Sequence, residues 1–325
     1  MIKDRGHLKK IVQEAFFQAI IGEVVAEENM PVYHYTSTDG LLGIITKQEI
    51  WFGNVDDLND VTEIDYAFDQ IIEPAILKCD SLTAEQKKRI QELIAIVRNR
   101  NFSLVQGDGV SACGINIFVL STSKNGNSYT LWNNYTKNPS KAGFAVSMDN
   151  YSFSSAILKE LEIRERTDDS SVKNWLFLGN VVYGRAKQEE IADRYVERLS
   201  YNLEGKGEEF QEIIYEAFVE GLLLLSLFMK DEEFSKEDEY RYVAVVADEN
   251  TDLDVSRKPY LKFVNVGGNI MSRFVFPFDS KMISKIVVSP YMPDQEKVQQ
   301  ELQFLARKCN IPNVEIKINI SKKIR

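Results

Sequence analysis

Histidine and cysteine are scarce in these 325 residues, with two of the first and three of the second. Cys79, Cys113 and Cys309 lie far apart and at no metal-ligand spacing. A zinc centre is therefore not expected, and no metal is predicted. His7, at the start of an amphipathic stretch, is expected on the surface, which leaves His34 as the one histidine for a site. The patterns G-x-S-x-G, G-x-x-x-x-G-K-S/T and G-x-G-x-x-G are all missing. Nucleophile-elbow hydrolases, P-loop nucleotidases and dinucleotide-binding crossovers thus have no signature here. The longest apolar run, Phe218 to Met229, contains Glu220, Gly221 and Ser226 and is too short to span a bilayer. It reads as a buried helix, and no membrane partner is expected. The opening Met-Ile-Lys-Asp-Arg-Gly-His has no apolar signal core. Dispersed, odd-numbered thiols suit a reducing compartment, so the expected location is the cytoplasm, with the thiols mostly buried.

Charge excludes a further class. Asp and Glu number 49 against 39 Lys and Arg, a formal net charge of -10. The basic residues are scattered except in the tail (Lys317, Lys322, Lys323, Arg325), so nucleic acid is not an expected partner. A hydrophobic content of 44% supports a large core.

Read along the chain, Leu8, Ile11, Val12, Ala15, Phe16, Ala19 and Ile20 recur at helical spacing, so residues 1–30 form an amphipathic helix that ends before Pro31. That helix offers a face for oligomer formation, although packing on its own core is the expectation. Residues 31–325 read as a single mixed α/β domain. Strands are expected at 31–36 and 49–52, with a short helix between them. Asp60 to Lys78 reads as a helix kinked at Pro74. Thr83-Ala-Glu-Gln86 is a capping box that opens a helix to Arg98. Strands follow at 115–120, 142–148 and 175–183. A helical insertion covers about 187–230. Strands at 239–246, 263–266, 273–276 and 285–289, a helix at 294–309 and a strand at 314–320 complete the chain. The fold class is α+β.

Four polar constellations could carry chemistry. His34 stands between Tyr33 and Tyr35 on a strand, with Thr36 beside them; a lone strand histidine is more often a hydrogen-bonded structural residue. Asn59, Asp60 and Glu63 match a helix N-terminus and no metal loop. Ser121 and Ser123 end a strand, and beyond them Trp132 and Tyr135 share a helical face, either as core or as an aromatic wall. Glu237, Glu239 and Arg241 project to one side if that stretch is strand. Arg241 can then hold one carboxylate ionised while the other faces a ligand, or all three can be a solvated junction.

In this order the motifs resemble a widespread bacterial family known only as domain of unknown function 2971. The likeness runs through Tyr33-His-Tyr-Thr36, Leu41-Leu-Gly-Ile-Ile45, Asn59-Asp60-x-x-Glu63, Ser121-x-Ser123, Leu131-Trp-x-x-Tyr135, Glu237-x-Glu239-Tyr-Arg241 and Ile286-Val-Val, and covers nearly everything after Met30. The family usually has Asn-Asp-Pro where Val61 stands, and often a tryptophan near Phe234. More distantly, a strand Tyr-His-Tyr-Thr, a Ser-Thr-Ser strand end and a late Glu-x-Glu are similar to the three-part layout of ADP-ribosyltransferases. That resemblance implies a central, mostly antiparallel split sheet with flanking helices, and NAD as the substrate. It also implies His34 and Thr36 at the nicotinamide ribose, Tyr35 beside them, Ser121 and Ser123 bracing the site, and Tyr135 or Trp132 stacking. Glu239 would be the catalytic carboxylate, Glu237 would orient an acceptor and Arg241 would set the charge. The implied activity is that of an NAD-consuming ADP-ribosyltransferase or NAD glycohydrolase, a toxin or phage-defence effector with a protein acceptor. The competing reading is a non-catalytic nucleotide-sensing or regulatory binding module, in which the same charged residues form a structural ion cluster.

Overall fold

The computed structural model describes residues 5–24, 29–55, 62–98, 103–105, 112–136, 143–167, 174–247, 261–266, 268–311 and 313–318. Helix α1 (Arg5–Glu23) precedes strand β1 (Pro31–Ser37), whose first position tolerates the missing N–H of proline. Ser37 Oγ accepts the Gly40 N–H (3.2 Å) and caps α2 (Thr38–Leu42), which passes through a wide turn into β2 (Glu49–Asn54). Next, α3 (Thr62–Tyr66) widens over Ala67–Ile72 before α4 (Glu73–Lys78). Pro74 falls in the first turn of α4, just after the widened stretch, where its missing N–H is tolerated. The capping box is formed in both directions, Gln86 N to Thr83 Oγ1 (3.2 Å) and Thr83 N to Gln86 Oε1 (2.9 Å), and opens α5 (Ala84–Arg98).

The remaining elements are β3 (Ser103–Val105), β4 (Ala112–Ser123), α6 (Tyr129–Thr136), β5 (Gly143–Asp149), α7 (Asn150–Thr167) and β6 (Trp175–Asn180). They continue with α8 (Arg185–Leu203), α9 (Glu208–Ser226), β7 (Glu239–Ala247), β8 (Leu261–Val266), β9 (Asn269–Pro277), β10 (Ile283–Val288), α10 (Gln295–Lys308) and β11 (Glu315–Ile318). Helix α7 and strand β3 go beyond the sequence-based expectations.

The strands form one sheet in the order β11-β10-β5-β1-β4-β2-β9-β8, with β7 and then β6 on the other edge of β4. Among the described residues, only β10 and β11 pair in parallel, and every other pairing between these strands is antiparallel. The sheet is split at β4. Its one edge pairs with β7 from Ile115 to Ser123, whereas the other meets β2 at Phe118 and Val119 and β1 only at Ser123. Strand β1 meets β4 at Tyr33 alone, while its other edge pairs with β5 over its full length from Pro31 to Ser37.

Each face of the sheet carries its own core. One presents Ile117, Val119, Phe177, Val243 and Val245 to α1, α8 and α9. The other presents Phe118, Leu120, Tyr240, Tyr242 and Phe274, covered by Phe153, Ile157 and Leu161 of α7 and by Leu302 and Ala306 of α10. Helix α9 is buried from Ile213 to Ser226 on nearly every side, as its apolar run implies. Its buried carboxylate, Glu220, receives Lys9 Nζ (2.9 Å) and Gln13 Nε2 (2.6 Å) from α1. The first helix is thereby tied into the main core. Close packing between α8 and α9 requires Gly221, where a Cβ would lie 1.9 Å from Tyr195 Oη. Among the described residues, no helix is long and apolar enough to cross a membrane. Cys79 and Cys309 are half-buried free thiols, less enclosed than expected.

Candidate functional site

The strands carrying Tyr-His-Tyr-Thr, Ser-Thr-Ser and Glu-x-Glu are neighbours, β1 beside β4 and β4 beside β7. Register decides which side chains share a face. Tyr33 is opposite Ser123, Ser123 opposite Glu239, and Ser121 opposite Arg241. Paired residues project to the same side of a sheet and successive residues alternate. Tyr33, Ser121, Ser123, Glu239 and Arg241 therefore lie on one face, which carries α6 over β1 and α8 and α9 over the main core. His34, Thr122 and Tyr240 lie on the opposite face.

On the first face the charged residues close on one another. Arg241 donates from Nε to Glu239 Oε1 (2.6 Å) and from a terminal nitrogen to Oε2 (2.9 Å), a bidentate pair. The other terminal nitrogen donates to the carbonyl of Leu227, just past the end of α9 (2.6 Å). Lys230 Nζ donates to Glu237 Oε2 (2.6 Å) and lies 3.4 Å from Glu239 Oε2. The ring of Phe234 faces the same ammonium at 4.8 Å, a cation–aromatic contact. Glu239 is 6% exposed and Arg241 2%. Burial pushes the Glu239 carboxyl up, but the Arg241 guanidinium, with Lys230 and the Ser121 hydroxyl, outweighs it and holds the group at about 2. The Glu239 N–H donates to Tyr183 Oη (3.1 Å), and burial beside that carboxylate raises the phenol.

The expected alternation is met only in part. Strand β7 begins at Glu239, and Glu237 reaches the cluster from the tight turn Glu232–Glu237. The reversal between them falls on Asp238, at φ 45°. Neither carboxylate is left facing a ligand. Lys230 and Tyr183, which complete the cluster, carry no sequence signal, because the turn and the β6 end bring them in from outside any motif.

The Ser-Thr-Ser strand end and the segment after it brace this cluster. Ser123 Oγ donates to the Glu237 carbonyl (2.7 Å), and Ser128 Oγ donates to the Lys236 carbonyl (3.2 Å). Asn134 Nδ2 donates to Glu237 Oε1 (3.5 Å). Tyr35 Oη accepts the Ser128 N–H (2.8 Å) and donates to the Asn125 carbonyl (2.7 Å). Trp132 is completely buried, its Nε1 donating to Asn127 Oδ1 (2.9 Å) and its ring meeting Tyr35 edge-on at 4.6 Å. Both Tyr35 and Trp132 are thus interior residues, and Trp132 presents no open ring face to a ligand. In the turn, Gly126 lies against Tyr33, whose ring would be 2.3 Å from any Cβ there.

His34 belongs elsewhere. Its Nδ1 lies 3.2 Å from the Ser121 carbonyl, so the ring caps an edge of β4 where β1 diverges. Burial lowers its pKa against the pull of that carbonyl, which keeps the imidazole neutral at neutral pH. Behind it on the same face, Thr122 Oγ1 donates to the Tyr240 carbonyl (2.7 Å), and Asn150 bonds both Tyr240 Oη (2.9 Å) and Tyr242 Oη. The imidazole and the Glu239 carboxylate, which the resemblance assigns to one NAD site, project from opposite sides of the sheet.

Residues 131–242 match the family described as protein of unknown function (DUF2971). The DUF2971 segment runs from α6 into β7 and contains Lys230, Phe234, Glu237, Glu239 and Arg241 together. His34, Thr36, Ser121 and Ser123 lie outside it, so the matched region is narrower than the likeness read from the motifs. No curated protein and no solved structure matches the chain. Thr36 is half-buried on β1. Asn59 and Asp60, like the tail Ser321–Arg325, lie outside the described residues. So do the side chains of His7, Glu63 and Tyr135, although their backbones are helical.

Proposed function

We propose that this chain is a non-catalytic regulatory binding module of the cytoplasm. The observation that supports this most is the engagement of Glu239. A carboxylate that stabilises a ribosyl cation must be aimed at the reacting carbon and open to it. Here both oxygens are held by Arg241 and Lys230 beneath α9, and His34 faces the other way. In this reading the Glu237–Lys230–Glu239–Arg241 cluster fastens the end of α9 to β7. NAD and other nucleotides are then candidate ligands and not substrates. The adjacency of β1, β4 and β7 favours a second reading, in which the chain consumes NAD as a toxin or phage-defence effector with a protein acceptor.

One experiment separates the two. The full chain is incubated with NAD, with and without cell-extract proteins as acceptors, and released nicotinamide is followed. In parallel, melting temperatures are recorded with NAD, ADP-ribose and ATP. The expected outcome is a ligand-dependent rise in melting temperature for at least one nucleotide, with nicotinamide at background. Release of nicotinamide by the wild type that disappears in a folded Glu239→Gln variant overturns the proposal in favour of the enzyme. The absence of any shift removes nucleotides as the ligand class.

A further inference from the structure

On the helical side of the molecule, α1, α8 and α9 border a half-open cavity of about 700 Å³. This lies within the range of pockets that take small organic ligands. The floor is apolar, with Ile11 and Phe16 of α1 facing Phe210 and Ile214 of α9. Cations stand at its margin, and they differ in how they are occupied. Arg194 is already paired with Glu23 and Glu190. Arg198 is exposed and makes no ion pair among the described residues, and the ammonium of Lys206 lies over the Phe210 ring at 5.5 Å. Glu197 is the one acid among the described residues of the lining. In a chain of net charge -10, an apolar trough edged by Arg198, without an ion pair among the described residues, and by Lys206, whose ammonium rests on the Phe210 ring, stands out against its surroundings.

We propose that this groove binds an amphipathic carboxylate, a medium-length apolar chain with a single anionic head. The body would lie on the Ile11–Phe16–Phe210–Ile214 floor and the head between Arg198 and Lys206. Apolar burial supplies the attraction, and charge complementarity at the rim selects an anion over a neutral or cationic amphiphile. The proposal is independent of the nucleotide reading, since it uses α1, α8 and α9 and none of β1, β4 or β7.

The test is isothermal titration of the full chain with decanoate, decanol and decyltrimethylammonium, each below its micelle concentration. Saturable decanoate binding is expected, weakened about tenfold or more in Arg198→Glu. The cationic amphiphile is expected not to bind, and Ala15→Trp, which fills the floor from an exposed position, should abolish decanoate binding. Melting temperatures near wild type for these surface variants establish that they fold. Three results overturn the proposal. The first is no saturable binding of decanoate. The second is equal affinity for the cationic amphiphile or unchanged affinity in Arg198→Glu. The third is a concentration-dependent dimer that Ile11→Asp dissociates, which would make the groove a self-association face.

Discussion

Arg241→Met tests whether the buried cluster holds the fold together. The substitution keeps roughly the length of the side chain and removes three charge-assisted hydrogen bonds, two to Glu239 and one to the Leu227 carbonyl. Glu239 is then left in the interior with Lys230, which Glu237 already holds at 2.6 Å. Stranding one partner of a buried ion pair destabilises by about 3–5 kcal/mol. At about 2.1 cal/mol/K per residue, 325 residues unfolding together give an entropy near 0.7 kcal/mol/K, so the melting temperature should fall by about 4–7 °C. Replacing both partners, as in Glu239→Leu with Arg241→Met, should recover most of that loss, because no uncompensated charge then remains. Thermal melts followed by circular dichroism read both numbers. A fall of less than about 1 °C in the single variant, or a double variant no better than the single, refutes the clamp.

Acid should act through the same carboxylate. Glu239 has its folded pKa depressed to about 2 from an ordinary 4.5, so its contribution is complete above pH 4.5 and drains away as pH falls through 2. Glu239→Gln should show a shallower loss of stability over that window in an acid titration of the melting temperature. The pair under α1 has the opposite sign. Burial raises Glu220 despite Lys9 and Gln13, so in Lys9→Met the stranded carboxylate takes up a proton, and the penalty of about 3–5 kcal/mol should shrink as pH falls. A penalty that grows on acidification contradicts this. Tyr195 Oη is buried without a hydrogen-bond partner among the described residues, so Tyr195→Phe should be neutral or stabilising by up to about 1 kcal/mol in urea unfolding. Gly221→Ala should destabilise by about 1–3 kcal/mol and be largely rescued by Tyr195→Phe, since the clash is with that hydroxyl.

What could be read from the sequence was local. The capping box at Thr83 and Gln86 involves residues three apart, and both its bonds are found. The α8–α9 pair was legible from its helical pattern, and α9 as a buried helix from an apolar run too short for a membrane. Helix α7 was missed because Phe153, Ile157 and Leu161 form one narrow stripe among polar neighbours, with little else to mark the period. The site was legible as a set of strands but not as a geometry. Alternation within β7 put Glu239 and Arg241 on one side, correctly. Whether His34 shares that side depends on the register of β1 against β4, and a period of two along each strand carries no information about the offset between them. Lys230 was invisible for a related reason, since its partners are reached through a turn and not along a helix or strand.

The ion pair between Lys9 and Glu220 joins positions 211 residues apart. On a ribosome adding about 5–20 residues per second, the opening helix therefore waits roughly 10–40 s before its docking surface has been synthesised. During that interval its greasy side, with Phe16, Phe17 and Ile20, has no internal home. Its apolar face must therefore stay exposed, or fold against transient neighbours, until α9 has emerged.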